Sequence, residues 1–447
     1  MYSADNYVLV CGPSGFSETC KILLAELNYN YKTFLGMPNK YPEVPTNWLG
    51  RIHRWNPYIV MWANILFIML IIWLYSRGEI GLGGRFCVEG FINERNSTSY
   101  AYRLVKDPRW SFGSVPPVEG CNADPWIGQL ISWILYVPHQ LAQWWIMYKA
   151  QQEKPKYQEG WRWFNWWMLY VNSFFMVLKL VTNAFTYNAM SSHLPLWFGQ
   201  GTVFNIMLIV LAMQVPVRGM CCGACSRGCK VGGKQCSKGT YWTEMAFFMR
   251  KYHGYYMAFG VTNDWYYHPL EATPGHLTGI CNDLLIFWQC ICIYTPAHRN
   301  KWWCIACEFM VTLHGPLIAL GRGGGAGMFG FGFAVVFMCS GQWGLPLNKA
   351  TRAMLFALFM GLLLGNYGLG WSRKFGNEPV SWADMNEIVR IPSLYYIVMA
   401  LYIVLYMCLR WIRLIKNKGA QVVLSILGCS IAMSFGFVPF VFIVGTD

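Results

Sequence analysis

Residues 58–75 read YIVMWANILFIMLIIWLY, an 18-residue apolar run without a charged side chain. A helix needs roughly 20 such residues to cross the hydrocarbon core of a bilayer, and runs of this kind recur along the rest of the chain. The 447 residues are 55% hydrophobic and only 13% charged, about half the charged share of a soluble domain. The sequence therefore predicts a polytopic integral membrane protein. It excludes secreted, disordered, coiled-coil and ordinary soluble classes.

Ten segments are predicted to cross the membrane outright, and an eleventh completes the topology. With a cytoplasmic N-terminus, ten crossings would place Arg410 and Arg413 outside, although Lys and Arg prefer cytoplasmic loops. A further crossing at 243–263 removes this conflict. It contains Glu244 and Arg250, which a helix tolerates where it faces protein or water. The predicted fold is therefore an all-α bundle of about eleven crossings, with the C-terminus outside. The ten apolar segments are 58–75, 125–148, 164–187, 196–217, 274–294, 302–320, 327–345, 353–370, 391–411 and 421–444.

A faint internal repeat divides the predicted bundle into two parallel halves of four spans, followed by three further helices. A tryptophan pair before Asn172 and Lys179 has a counterpart before Glu308 and His314. Parallel repeats occur in several transporter families, with binding sites near the membrane midplane. Chance similarity between aromatic-rich helices is the alternative. The predicted domains are a cap at 1–55, a first half at 56–217, a basic loop at 218–240, a second half at 241–346 and the final spans at 347–447.

Residues 7–34 follow the pattern strand, turn, helix and strand, with Gly12 and Gly15 in the turn. Over about 30 residues this pattern resembles the opening βαβ unit of glutathione-transferase and glutaredoxin-like folds. The redox Cys-x-x-Cys of those folds is missing from the stretch, and so is the Gly-Lys-Ser/Thr ending of a phosphate loop. We therefore expect a small cytoplasmic cap over 1–55.

The loop between the first two spans has two features of an oxidising, lumenal environment. Asn96 opens an Asn-Ser-Thr glycosylation sequon. Cys87 and Cys121 bracket the loop and can form a disulfide in an oxidising lumen. Together these features place residues 77–124 outside. They predict a eukaryotic secretory-pathway or plasma membrane, with the N-terminus in the cytoplasm.

The net charge of +14 would point to nucleic acid in a soluble protein. Here the Lys and Arg residues mostly flank predicted spans, where they set the orientation of the chain. We therefore expect membrane lipids as the surroundings and no nucleic-acid partner.

A glycine-rich, basic loop after the fourth span contains five cysteines. On the predicted topology it lies in the cytoplasm beside the bilayer, where S-acylation is the natural modification. The spacing also offers Cys-x-x-Cys and Cys-x-x-x-Cys pairs for a metal, but no second knuckle of the usual spacing. Acylation, a metal cluster and disulfides stay open, and disulfides would require the loop to lie outside. The cysteines are Cys221, Cys222, Cys225, Cys229 and Cys236.

Ionisable residues inside spans are the best indicators of function in this sequence, since each costs roughly 2.5–3.5 kcal/mol at a helix centre. Lys179 and Glu308 occupy such positions, and the repeat would bring their helices together. We predict an ion pair between them, either as a solute- and proton-binding site or as a structural lock. His139, Gln143 and Asn172 are predicted to line the same cavity or to bond helices together.

A second group of polar residues is predicted on the outer side. His268 and Glu271 precede a span that carries His276, and His314 lies near the outer end of the next span. The three histidines suit zinc, iron or haem ligation, and the whole group suits general acid–base catalysis equally well. Asp283 follows His276 by seven residues on the same helical face and can orient it. Interfacial histidines that cap helices are the alternative.

Residues 307–317 read CEFMVTLHGPL. This stretch resembles one span of the emopamil-binding sterol isomerases and their relatives, which are four- and five-helix, aromatic-lined lipid binders. The resemblance implies a sterol or lipid ligand and covers no other helix of the chain.

These observations leave three classes of function. A carrier for a small or lipophilic solute predicts a mid-membrane cavity at Lys179 and Glu308. A membrane enzyme acting on a lipid, sterol or isoprenoid predicts that His276 and His314 lie within about 4–5 Å of a common point. A structural subunit of a membrane assembly predicts that the buried charges are sealed in packing. We favour the carrier. The sequence names no cofactor and leaves a homo-oligomer or a larger membrane complex open.

Overall fold

The computed structural model describes part of the chain, and the described residues fall in one of two compact units. The units are Met1–Tyr58 and Ile59–Asp447. The predicted cap at 1–55, the loop at 77–124 and most of the basic loop at 218–240 therefore lie outside the described residues. The described residues are 59, 61–72, 125–153, 155, 161–185, 190, 194, 196–218, 230–231, 234–235, 241–268, 274–321, 325–374, 378–428 and 430–431.

Within this part the chain is helical, apart from short turns, a few extended links and one hairpin of two-residue strands. Helices suit such apolar sequence because they satisfy their backbone polar groups internally. Strands β1 (Lys230–Val231) and β2 (Lys234–Gln235) pair antiparallel. The helices are α1 (Met61–Ile72), α2 (Pro125–Gln152), α3 (Trp163–Phe185), α4 (Leu196–Arg218), α5 (Tyr241–Tyr267), α6 (Pro274–Ile291), α7 (Lys301–Gly321), α8 (Ala326–Cys339), α9 (Lys349–Leu369), α10 (Arg390–Ile412) and α11 (Lys418–Gly428).

Three helical segments of the described residues are long and apolar enough to cross a membrane. They are α9 and two segments in which a short 3-10 helix extends α8 or α10, namely Ala326–Gly344 and Trp382–Ile412. Shorter apolar stretches lie in α1, α4, α6 and α11. These findings support a helical membrane protein, the coarser part of the prediction from sequence.

Helix α5, the polar crossing predicted from the charge balance of the loops, packs at the centre of the described helices. It contacts α2, α4, α6 and α10. Thr262, Asn263 and Asp264 are at most 6% exposed, so these polar side chains face other helices. This arrangement is the one that makes a polar helix tolerable in apolar surroundings.

Helices α4 and α5 pack closely through small and polar residues. Asn263 Nδ2 donates a hydrogen bond to Thr202 Oγ1 at 2.9 Å. Gly199 lies directly against the ring of Tyr267, because a Cβ added to the glycine would sit 2.7 Å from three ring carbons. Small residues of this kind let membrane helices approach each other.

Hydrogen bonds join α2 to α5 at points far apart along both helices. Gln143 Nε2 donates to Thr262 Oγ1 at 2.7 Å. Towards the other end, Gln151 Nε2 donates to the carbonyl of Lys251 at 2.7 Å, and the hydroxyl of Tyr255 donates to Gln151 Oε1 at 3.1 Å. These bonds hold the register of α2 against α5.

An apolar core joins α4, α8 and α10. Leu208, Met328 and Tyr395 are among its buried members, one from each helix. Within the same core the Tyr402 hydroxyl donates a hydrogen bond to Asn205 Oδ1. The core attaches α8 and α10 to the central α4–α5 pair.

Candidate functional site

Lys179 lies in an apolar stretch of α3, FFMVLKLV, and has no exposed surface. Its Nζ donates hydrogen bonds to the carbonyl oxygens of Trp265 and His268, the second at 2.8 Å. Both carbonyls lie at the C-terminal end of α5, where a helix leaves its final carbonyls without intrahelical partners. The ammonium group therefore caps the end of α5 that carries the partial negative charge of the helix dipole.

Two buried aspartates supply negative charge near this ammonium group. Asp264 and Asp283 are 6% and 3% exposed, and both act electrostatically on Lys179. Their carboxyl groups lie within hydrogen-bonding reach of each other. Two carboxyl groups this close repel each other when both are ionised, and a neighbouring cation offsets that repulsion.

Two histidines adjoin Asp264. His268 Nε2 lies 3.4 Å from Asp264 Oδ1. His314 lies within electrostatic range of both residues, and its Nδ1 is 3.1 Å from Thr278 Oγ1. Together with the lysine and the aspartates they form a group of five ionisable side chains from the ends and middles of α3, α5, α6 and α7. The members of this ionisable cluster are Lys179, Asp264, His268, Asp283 and His314.

A layer of buried aromatic and polar side chains adjoins the ionisable cluster. His139 Nε2 lies 2.9 Å from Asn172 Oδ1, and the imidazole stacks on Phe175 with ring centroids 4.8 Å apart. Tyr266 presents its ring edge-on to His139, with centroids 5.9 Å apart. The Tyr266 centroid is also 5.2 Å from Lys179 Nζ. Tyr266 therefore connects this layer to the ionisable cluster.

Several buried polar atoms in and beside this layer have no hydrogen-bond partner within the described part of the chain. Leaving such an atom unsatisfied costs about 1–3 kcal/mol. Groups of such atoms are places where water or a ligand binds. The atoms are His139 Nδ1, Gln143 Oε1, Asn172 Nδ2, Trp265 Nε1 and Tyr266 Oη.

The acidic neighbours of Lys179 differ from the predicted partner. Asp264 and Asp283 act on the lysine, whereas Glu308 is only partly buried and lies within electrostatic range of Tyr395 on α10. The predicted pairing of Lys179 with Glu308 followed from the internal repeat. The repeat therefore does not describe the surroundings of Lys179.

Asp264 is missing from the predicted site residues because the predicted crossing ends at residue 263, whereas α5 continues to Tyr267. The feature of the sequence that points to Asp264 is its spacing of four residues from His268, which places the two side chains on one helical face. Asp283 was expected to orient His276, whose side chain lies outside the described residues. In the structure Asp283 faces Asp264 and Lys179, and its contact with His276 stays a prediction.

Other predicted site residues lie outside the described residues, so their roles stay predictions. Among the described residues, no group of three or more His, Cys, Asp or Glu side chains is placed to hold a metal ion. The undescribed residues are Glu271, Cys87, Cys121, Asn96, Cys221, Cys222, Cys225, Cys229 and Cys236.

The turn between α6 and α7 contains a histidine whose ring is bonded to the end of α6. His298 Nδ1 donates to the carbonyl of Gln289 at 2.8 Å, and Gln289 Nε2 donates back to the carbonyl of His298 at 2.7 Å. The His253 ring lies 5.7 Å away. Burial, aided by the nearby His253, lowers the pKa of His298 to about 4. The turn therefore holds this imidazole in its neutral form.

We expect the free energy of unfolding to fall as the pH drops from about 6.5 towards 4. In this window the unfolded chain protonates His298 at its ordinary pKa of about 6.5, but the folded chain does not, so protons favour unfolding. Thermal unfolding in detergent at neutral and mildly acidic pH measures the effect. The His298→Gln variant should show a smaller acid-induced loss than the wild type. An equal loss in both proteins would contradict this role of His298.

These features define a class of protein, a helical membrane protein with five ionisable side chains gathered among its helices. Three of its helical segments can cross a membrane by length and composition. No protein-family model, curated protein or solved structure matches the chain. What the ionisable cluster does must be inferred from its own chemistry.

Proposed function

We propose that the chain is a multi-pass membrane carrier and that the ionisable cluster is the site where it binds a small solute and a proton. The supporting observation is the burial of Lys179, Asp264 and Asp283 together among α3, α5 and α6. Ionisable residues inside membrane helices are costly and by default mark a substrate or ion path. In many carriers the substrate and coupling-ion sites lie at such helix interfaces near the midplane.

The proposed topology has eleven crossings, with a cytoplasmic N-terminus and an outer C-terminus. Helix α5 supplies the polar crossing, which is supported by its central packing against four other helices. This crossing keeps Arg410 and Arg413 on the cytoplasmic side, as the distribution of basic residues in membrane proteins favours. It also leaves the loop with Asn96 outside. The protein then lies in a membrane of the secretory pathway or of the cell surface, with this loop on the lumenal or extracellular side.

The charge balance of the cluster favours a link between solute and proton. On this proposal Asp264 and Asp283 share one proton, so that their single negative charge balances the Lys179 ammonium, and a buried site resists any added charge. A solute that brings a positive charge must therefore displace a proton. His268 Nε2 lies 3.4 Å from Asp264 Oδ1, and His314 lies within electrostatic range of the same carboxyl group.

Transport by the purified protein in liposomes tests this function. An imposed pH gradient drives uptake from separate mixtures of organic cations, amino acids, carboxylates and nucleosides, and mass spectrometry identifies what enters. We expect the wild type to accumulate at least one class. The Asp283→Asn variant should lose about 30-fold or more of that uptake, the scale of removing one member of a buried charge pair.

Asp384→Asn is the matched control, because this carboxylate lies outside the cluster and pairs with Lys374 at 3.1 Å. It should transport like the wild type. Absence of uptake for every class, or equal uptake by Asp283→Asn and wild type, would overturn the carrier.

The hydrogen bonds of Lys179 favour a second candidate, a structural subunit of a membrane assembly. The lysine is fully buried and joins α3 to the end of α5, which is what a purely structural lock requires. On this alternative, cluster variants change stability and the wild type moves no solute. The same liposome experiment therefore separates the two candidates.

A further inference from the structure

We propose that the end of α5 is a binding site for a primary ammonium group, which Lys179 occupies from within the protein, and that the transported solute is a small primary amine. This inference rests on the proposed carrier function and names its substrate class. On entry, the ammonium group of the solute takes the place of the Lys179 ammonium.

The hydrogen-bond acceptors of the site come from the backbone. The carbonyls of Trp265 and His268 both accept from Lys179 Nζ, and they end a helix whose dipole favours a cation there. These acceptors stay in place when the lysine leaves, because they belong to α5 whereas the lysine belongs to α3. A protonated primary amine has three N–H donors, enough to reach both carbonyls, whereas a quaternary ammonium has none.

The walls of the site also suit a cation. The Trp265 ring centroid lies 5.5 Å from Lys179 Nζ and the Tyr266 centroid lies 5.2 Å from it, both within the range of a cation–π contact. The carboxyl groups of Asp264 and Asp283 provide the charge. Trp265 Nε1 and Tyr266 Oη have no partner within the described residues, so the site can also bond polar atoms on the solute.

The exchange balances in charge and in protons. One protonated amine enters, and Lys179 releases one proton as its ammonium becomes a neutral amine and leaves the site. The proton departs to the side from which the solute entered, and Lys179 regains a proton from the opposite side when the solute is released there. One cation therefore crosses for each proton returned, and the charge of the ionisable cluster is unchanged.

Chemical rescue of Lys179→Ala tests the site. The substitution removes Cγ, Cδ, Cε and Nζ, and n-propylammonium replaces those atoms. We expect the variant to melt several degrees below the wild type in detergent. Millimolar n-propylammonium should reverse at least half of this decrease in Tm, whereas n-propanol and tetramethylammonium should reverse none of it.

Two matched variants sharpen the test. Lys179→Met fills the space with an apolar chain, so n-propylammonium should not raise its Tm. Lys149→Ala removes a lysine outside the ionisable cluster, one that stacks on Trp145, and should not respond. Equal rescue by n-propanol, or no response of Lys179→Ala to n-propylammonium, would overturn the ammonium site.

Should Lys179→Ala fail to fold, the wild type in liposomes decides the matter. An outward proton gradient should drive n-propylammonium uptake faster than in protein-free liposomes and in liposomes with the Asp283→Asn variant, with the loss of lumenal protons reported by an entrapped dye. Uptake of another solute class without n-propylammonium would overturn the amine inference and leave the carrier standing. Uptake of no solute at all would overturn the carrier itself.

Discussion

Replacing Lys179 by Met lowers the free energy of unfolding by about 3–5 kcal/mol, the usual cost of removing one partner from a buried ion pair. The side chain is fully buried, so water does not readily take the place of the ammonium group that the substitution removes. The variant leaves the shared negative charge of Asp264 and Asp283 uncompensated. It also leaves the carbonyls of Trp265 and His268 without their donor. Unfolding of the detergent-solubilised protein by heat or by a denaturing detergent measures the loss.

Lys149→Met is the matched control for this substitution. Lys149 lies in the last turn of α2, with its ammonium 4.7 Å from the centroid of the Trp145 ring. Its contribution should stay near or below about 1 kcal/mol, as is usual for a charged side chain that is only half-buried. If the two variants lose equal free energy of unfolding, Lys179 does not compensate the charge of the aspartates. That result would contradict the ionisable cluster.

Replacing Gly199 by Val costs about 1–3 kcal/mol, the usual penalty for overpacking a close contact. A Cβ at this position would lie 2.7 Å from three carbons of the Tyr267 ring. That ring is fully buried, so it moves only if α4 and α5 separate. Tyr267 also contacts His268, with ring centroids 4.8 Å apart, and the substitution should therefore disturb the ionisable cluster as well as lower the Tm.

Gly361→Val serves as the control, because within the described part of the chain no other helix and no side chain beyond the two chain neighbours lies within 4 Å of a Cβ built at this helical glycine. Both variants make the same change inside a helix, so the difference between their Tm values isolates the contact with Tyr267. Equal Tm values would show that α4 and α5 do not pack closely at Gly199.

The helices were predictable in place and extent. The segment predicted at 164–187 forms Trp163–Phe185, and the polar segment predicted at 243–263 forms Tyr241–Tyr267. Apolar length, a local property of the chain, predicts the first of these helices, whereas the second is predicted from the distribution of Lys and Arg among the loops. The residues 292–294, predicted as the end of a helix, lie in a turn instead, where Tyr294 has a positive φ of 60°. Such ends depend on packing, which the local pattern does not contain.

The sequence singles out Lys179 as an ionisable residue within a helix, but it does not identify the acidic neighbours of this lysine. Lys179 stands out because it is the one charged residue in an apolar stretch. Its acidic neighbours, Asp264 and Asp283, come from helices about 85 and 104 residues further along the chain. Their proximity depends on which helices pack together. The internal repeat pointed to Glu308 because it compared positions along helices without knowing those neighbours.

The capping of α5 by Lys179 has a consequence for the way the chain is made. The two acceptor carbonyls lie 86 and 89 residues after the lysine. At about 5–20 residues per second, a ribosome needs on the order of ten seconds to add them. During that interval the lysine of α3 lacks the two carbonyl acceptors that it has in the folded protein. A nascent chain entering the bilayer must keep this lysine at the water interface or inside the insertion machinery until α5 emerges. Only then can α3 pack in its final position against α5.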